Sequence, residues 1–401
     1  MKFFLVVVFG ISLLFGAKAV EVGERFSKSK NCKSCHIQIV KDWENSWHAK
    51  SHYKSDEYFR ATIDYVKRKT RKSLNSVKIE CATCHNPRIS VTSTDMDYEI
   101  IAAMKLDKNS AVNKALKSDS INEGINCVVC HNIDKIYTDM DDTKRGINRV
   151  KWTKSGIMSG PYHKSISPYH KVEYRDFMDK KSDNLCLVCH ANDRSVSGLV
   201  FTNMQHEYQE NKKACVDCHM GVKKMGVAST YLSVTGEDKK KKPKKREIRE
   251  HKFSGAHTSN MWKGALKLRA KKQGANLFVT ILNPQPHNIP SGFGSRELIV
   301  ELTFKNGSGK LNTKTISLTR HYTSKRKKPT IPHLAVSMTK DNSIPANGKR
   351  VLKVAIEDDT SSVDIRLYYR LVNDEVRSIL KLKDSIWSQK MLIESKSLYL
   401  K

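Results

Sequence analysis

Past residue 15 the chain has no long apolar run, and it has no cysteine outside five short motifs. It is also short of acid, with 41 Asp+Glu against 72 Lys+Arg and a formal net charge of +31. Each scarcity removes a class. Without a second apolar run there is no helix to span a bilayer, so the exported chain is expected to be soluble or peripherally bound. With none of the ten cysteines left over, there is no disulfide framework to read from spacing. The excess of base points to nucleic acid, an anionic membrane face or an acidic protein.

The one apolar run lies at the start. Lys2 precedes Phe3 to Phe15, and Ala17-Lys18-Ala19 puts small residues where a signal peptidase reads. Residues 1–19 are therefore expected to be a secretory signal peptide, cut before Val20, with the periplasm as destination. Export removes nucleic acid from the set of partners. Redox proteins remain, with peripheral contact to a membrane compatible with the charge.

The ten cysteines form five copies of one pattern: Cys32-Lys33-Ser34-Cys35-His36, Cys81-Ala82-Thr83-Cys84-His85, Cys127-Val128-Val129-Cys130-His131, Cys186-Leu187-Val188-Cys189-His190 and Cys215-Val216-Asp217-Cys218-His219. C-x-x-C-H is the attachment signature of c-type haem. Two thiols three positions apart reach the two vinyl groups on one haem edge, and the next residue turns its imidazole to the iron. A thioredoxin-like pair or a zinc site accounts for C-x-x-C alone. Neither accounts for His following five times out of five. Five covalently attached haems c are expected, with His36, His85, His131, His190 and His219 as proximal ligands. No copy carries Lys in place of that His.

Ten more histidines lie outside the motifs. A haem closed by His on both faces suits electron transfer, whereas one open face can bind a small molecule. His170 and His206 lie within the haem region, where reach is easy. His52, His163 and His257 are the nearest competitors for distal positions, and Met220 is a weaker one.

The segment Cys32-Lys-Ser-Cys-His-Ile-Gln-Ile-Val-Lys-Asp-Trp43-Glu-Asn-Ser-Trp-His48-Ala-Lys resembles the opening of the multihaem cytochromes typified by the tetrahaem electron carrier of ammonia-oxidising bacteria. Gly124-Ile125-Asn126 before Cys127 is similar to the approach to an internal motif of such proteins, and Cys215 to Met220 resembles a last motif. The resemblance implies an electron-transfer role, with His48 as distal ligand of a haem other than its own motif's. His251-Lys-Phe-Ser-Gly-Ala-His257 and Asn283-Pro-Gln-Pro-His287-Asn-Ile-Pro290-Ser-Gly292 resemble an extension on larger members, which adds His251 and His287 to the distal candidates. Two departures stand out: five motifs where the typical carrier has four, and the additional C-terminal region.

The expected organisation is multidomain. A mainly helical and irregular pentahaem cytochrome c domain covers residues 20–235, with helix-like stretches at 55–70 and 100–115 and loops rich in Lys and Ser. The fourth and fifth motifs are closest in sequence, which makes their haems expected neighbours. Residues 236–250 read as a basic linker, either a spacer or an electrostatic tether. From there the apolar period becomes two: Leu277, Val279, Ile281; Leu298, Val300, Leu302, Phe304; Leu352, Val354, Ile356; Val363, Ile365, Leu367, Tyr369. Such alternation marks strands with one buried face, and Asn306-Gly307-Ser308-Gly309 marks a hairpin. A small β-sandwich domain over 251–373 follows, then a polar helical tail over 374–401.

Three functions fit. The first is an electron carrier between, for example, a membrane quinol-oxidising complex and a terminal reductase. The second is an oxidoreductase with one open haem acting on a small nitrogen or sulfur compound. The third is a structural subunit whose β-domain docks a partner. The sequence contains no catalytic constellation in the β-region.

Overall fold

The computed structural model describes residues 28–400 apart from 142–143, 154–155, 168, 209–212 and 231–244. The expected signal peptide and most of the basic linker lie outside the described residues. Among the described residues no helix is long and apolar enough to cross a membrane.

The N-terminal half is a set of short helices with small strand pairs between them. Its longest helix, Glu57–Thr70, starts where the Asp56 carboxylate accepts from Phe59 N at 3.0 Å and stops at Arg71, which takes a left-handed turn with φ 62°. Its buried residues Tyr58, Thr62, Ile63 and Val66 recur at helical spacing and form one face. The stretch expected to be helical over 100–115 is instead broken. Met96–Ala103 ends before Lys105 (φ 60°), and Ser110 caps a second helix, Ala111–Lys117. The Lys- and Ser-rich intervals expected to be loops carry short ladders: Ile133–Ile136 pairs with Val150–Trp152, and Ile157–Gly160 runs parallel to Lys171–Tyr174.

The C-terminal half is built on two antiparallel sheets. One has the spatial order Ser337–Asp341, Leu311–Thr323, Glu297–Asn306, Thr360–Arg370, Met391–Tyr399; the other is Lys349–Ala355, Asn276–Leu282, Lys267–Gln273. Leu277, Val279 and Ile281 are fully buried, as are Leu298, Val300 and Leu302, and Val363, Leu367 and Tyr369. In register, Leu298 stands beside Leu318 and Tyr369, and Val300 beside Leu367. The alternating residues thus point to one shared core, and the Asn306 turn closes on Lys310 with Gly309 at φ 86°.

Two boundaries differ from expectation. The tail is helical only over Asp374–Leu380; Met391–Tyr399 is a strand that pairs with Thr360–Arg370. Ile393 of that strand is buried against the core, an anchor that outweighs the polar residues around it. The end of the basic segment is ordered too: Lys245–Ile248 pairs with Lys224–Val227, and Arg249 meets Asp217 at 2.6 Å. A cross-strand partner and a carboxylate offset the like-charge repulsion that favours a solvated spacer.

The halves share a core. Tyr58, Ile63, Val66 and Val77 belong to the same buried cluster as the sheet residues. Tyr58 Oη lies 3.0 Å from Ser295 Oγ, and the Glu57 carboxylate accepts from Lys383 N (2.9 Å), Asp384 N (3.0 Å) and Trp387 Nε1 (2.8 Å).

Candidate haem-binding array

A C-x-x-C-H run coiled as one helical turn puts both thiols and the imidazole on one side, because positions i, i+3 and i+4 are neighbours. Four motifs do this: the second and fourth end the helices Leu74–His85 and Ser182–His190, and the third and fifth are themselves the helices Cys127–His131 and Cys215–His219. The first begins in Lys30–Lys33 and ends at His36, before the helix Ile37–Glu44. None of the ten cysteines is paired with another in a disulfide.

Four of the five motif imidazoles have a partner on Nδ1. His36 Nδ1 meets the Ala228 carbonyl at 2.7 Å, His131 Nδ1 that of Ser159 at 2.9 Å, and His219 Nδ1 that of Ser254 at 2.6 Å. A carbonyl accepts only, so Nδ1 carries the proton and Nε2 keeps its lone pair. His85 Nδ1 has Ser51 Oγ at 2.6 Å. Burial lowers the pKa of His85 and of His190 to about 4.

Four motif histidines each face a second histidine. The ring centres are 6.4 Å apart for His36 and His170, 6.3 Å for His48 and His190, 6.3 Å for His131 and His251, and 6.4 Å for His219 and His287. The number fits one ligation geometry: a ring nitrogen about 2 Å from a metal, with the ring centre roughly 1.1 Å behind it, puts two trans imidazoles about 6.3 Å apart. Two of the facing rings, His251 and His287, are held in the same manner as the motif rings. His251 Nδ1 has the Arg249 carbonyl at 3.1 Å, and His287 Nδ1 that of Asn288 at 2.9 Å. Burial lowers the pKa of His48 to about 3 and of His251 to about 4, so both rest as neutral imidazoles.

The Trp43-to-His48 pattern has a local cause. Trp43 Nε1 donates to the Ile125 carbonyl at 2.7 Å, and Ile125 N donates to the His48 carbonyl at 3.0 Å. Gly124 (φ 61°) lets the strands of chain meet, since a Cβ there would stand 2.4 Å from that carbonyl. The approach to the third motif thus fixes the helix Trp47–Lys50 that carries His48. Asp42, on the first motif's helix, accepts from His251 N at 3.2 Å.

His85 is different. Phe59 stacks on it at 4.0 Å, and the histidines that act on it electrostatically are His333 and His190. His333 lies deep between the rings of Phe201 (4.8 Å) and Phe293 (5.9 Å), with its Nδ1 buried and lacking a hydrogen-bond partner. Its carbonyl accepts from Val196 N at 2.9 Å, which ties the Pro332–Leu334 turn to the N-terminal half. The sequence reading did not single out His333; its one signal is an apolar frame, Ile331-Pro332-His333-Leu334.

His206, expected to face an iron, is exposed on the helix Met204–Glu207. His163 stacks on Tyr174 and His257 on Trp47, each at 3.6 Å. His52 accepts from Lys54 N at 3.1 Å. Glu250 N donates to the Met220 carbonyl at 3.1 Å.

The motifs also touch one another. A hydrogen bond with Cys127 raises the pKa of Cys32, one with Cys84 raises that of Cys189, and one with Cys186 raises that of Cys215. Cys186 also acts on Cys130. The first motif therefore adjoins the third, and the fourth adjoins the second, third and fifth.

Residues 31–132 match the family model for cytochrome c554 and c-prime. Over 93% of this chain and 98% of the other, the fold resembles that of a penta-heme cytochrome c552 from Thermochromatium tepidum, at TM-score 0.68 and 20% identity. These matches support a multihaem c-type cytochrome. A superoxide reductase in its oxidised state aligns over 35% of this chain and 89% of its own at 10% identity, but a TM-score of 0.18 shows no common fold. No curated protein matches the chain.

Proposed function

We propose that this chain is an exported electron-transfer cytochrome with five haems c, each closed by histidine on both faces. The pairs are His36 with His170, His85 with His333, His131 with His251, His190 with His48, and His219 with His287. The spacing of 6.3–6.4 Å in four of them carries this reading, because unrelated packing histidines have no reason to share it. Bound haem supplies an iron that cycles between two oxidation states. The protein's own groups hold each ring neutral and oriented, and a site with two fixed ligands rearranges little when its charge changes. We read the two sheets as a small β-sandwich that supplies three of the five distal ligands, His251, His287 and His333. Donor and acceptor are redox proteins, with a quinol-oxidising membrane complex and a terminal reductase as the proposed pair, and the periplasm as the compartment.

Spin state tests the proposal. Optical and paramagnetic-resonance spectra of the purified oxidised protein should show low-spin iron only, with no high-spin fraction. A high-spin signal worth one haem in five would overturn the carrier reading in favour of a site for a small molecule.

A further inference from the structure

Among the described residues, the helix Met96–Ala103 leaves an apolar face without a protein partner. Its inner side carries Tyr98, buried with Ile79 and Ala82 of the second motif's helix, and Ala102 packs against the same cluster. Outward stand Met96 (72% exposed), Ile100 (53%) and Ile101 (42%), continued by Met104 (63%) and Leu106 (65%). At a hundred degrees per residue, Met96, Ile100 and Met104 form one stripe, with Asp97 the single acid beside it. The other acids are engaged inward: Asp95 caps Tyr98 N at 2.8 Å, and Glu99 accepts from Ser73 N at 2.7 Å.

That last contact brings a second feature alongside. Ser73 follows Lys67-Arg68-Lys69-Thr70-Arg71-Lys72, five cations in six residues. Lys67, Arg68, Lys69 and Arg71 are exposed, and Lys105 and Lys108 flank the stripe from the other end. An apolar stripe rimmed by base fits an anionic lipid surface: the side chains enter the headgroup boundary while the cations meet the phosphates. An acidic protein would be served by the cations alone and gives no reason for five large apolar side chains in water.

We infer that this face, Met96 to Leu106 with the 67–72 run, seats the protein on an anionic bilayer and brings the second motif's haem nearest the membrane. The inference rests on the electron-carrier reading for its purpose. The second motif touches the fourth alone among the thiol contacts above, so it is an end of the array, suited to take electrons from a membrane donor.

The test uses holoprotein lacking residues 1–19, so that the apolar leader cannot insert, with vesicles of phosphatidylcholine alone or with phosphatidylglycerol added. Cosedimentation is expected with the anionic vesicles only. Ile100→Asp with Met104→Asp should weaken it at least about tenfold, and charge removal at Lys67, Arg68 and Lys69 about fivefold for each cation. Replacing the linker lysines 239–242 by Ser should have a smaller effect. Wild-type protein that stays in the supernatant overturns the inference and leaves the face to an acidic protein. Undiminished binding of the Ile100/Met104 variant overturns it as well, and so does loss confined to the linker variant. Each variant's spectrum is recorded in parallel. Failed docking with all iron low-spin counts against the membrane face alone, whereas high-spin iron in the wild type counts against the carrier reading alone.

Discussion

Truncating His333 should open one iron and only one. His333 sits on the short Pro332–Leu334 turn, and the other four facing histidines are held by separate contacts: His251 by Asp42 and Arg249, His287 by Asn288, His48 by the Ile125 link, His170 beside the strand Lys171–Tyr174. None of these contacts includes residues 332–334. In His333→Ala, one-fifth of the haem should therefore turn high-spin, and the reduced protein should bind one carbon monoxide per chain where the wild type binds none. Added imidazole should fill the vacated position and restore the low-spin spectrum, a rescue that a purely structural loss would not show. His206→Ala should leave all five haems unchanged. Two results would refute the reasoning: a His333→Ala protein with five low-spin haems, or a wild type that already binds one carbon monoxide. In either case the second motif's iron would not take its distal ligand from the β-region.

Three further outcomes follow from the same features. Intact mass should exceed the polypeptide from Val20 by five haems with no zinc, and fewer haems would break the motif reading. Glu57→Gln should destabilise the junction between the halves by about 1–3 kcal/mol, with the lower end expected because the carboxylate is largely exposed, read as earlier melting and faster proteolysis. Burial alone would raise the Glu57 pKa, but the donors at Lys383, Asp384 and Trp387 lower it below the usual carboxylate range. The stabilisation from this contact is thus present above the ordinary glutamate pKa and is lost as pH falls through the folded value, which melting curves in acid would show. Electron exchange with an acidic redox partner should slow as salt rises, since the Debye length shrinks to about 8 Å near physiological ionic strength; a rate flat across a salt series would remove charge steering.

The attachment chemistry was legible because it is local. Cys-x-x-Cys-His needs only one turn of chain, so the motifs carry their chemistry in five adjacent residues. The strands were legible for the same reason: Leu277, Val279 and Ile281 declare a buried face by alternation alone. The histidines that face the motifs are a long-range property. His48 was found through its Trp43 pattern, and His251 and His287 through resemblance, whereas His333 sits in a turn without a pattern. His206 looked well placed by sequence distance and lies exposed on a short helix. The tail misled in the same way: its polar residues mask Ile393, whose burial depends on the neighbouring strand.

The pairing of motifs and facing histidines gives the β-region a purpose beyond packing. His170 and His48, from the N-terminal half, face the first and fourth motifs; His251 and His287 face the third and fifth, and His333 acts electrostatically on His85 of the second. The motifs served from the C-terminal half are thus the three that adjoin the fourth motif, which stands at the branch of the array. A loose domain could not hold three such ligands in register. The shared core through Tyr58, Ile63 and Val66, the Glu57 clamp and the Val196 contact to the His333 turn supply the rigidity that this demands. Apolar content of only 39% in the whole chain is then less of a handicap, because each ligand pair can join two distant segments through one iron. On the proposed pairing the branch is where the two halves of the protein are locked together.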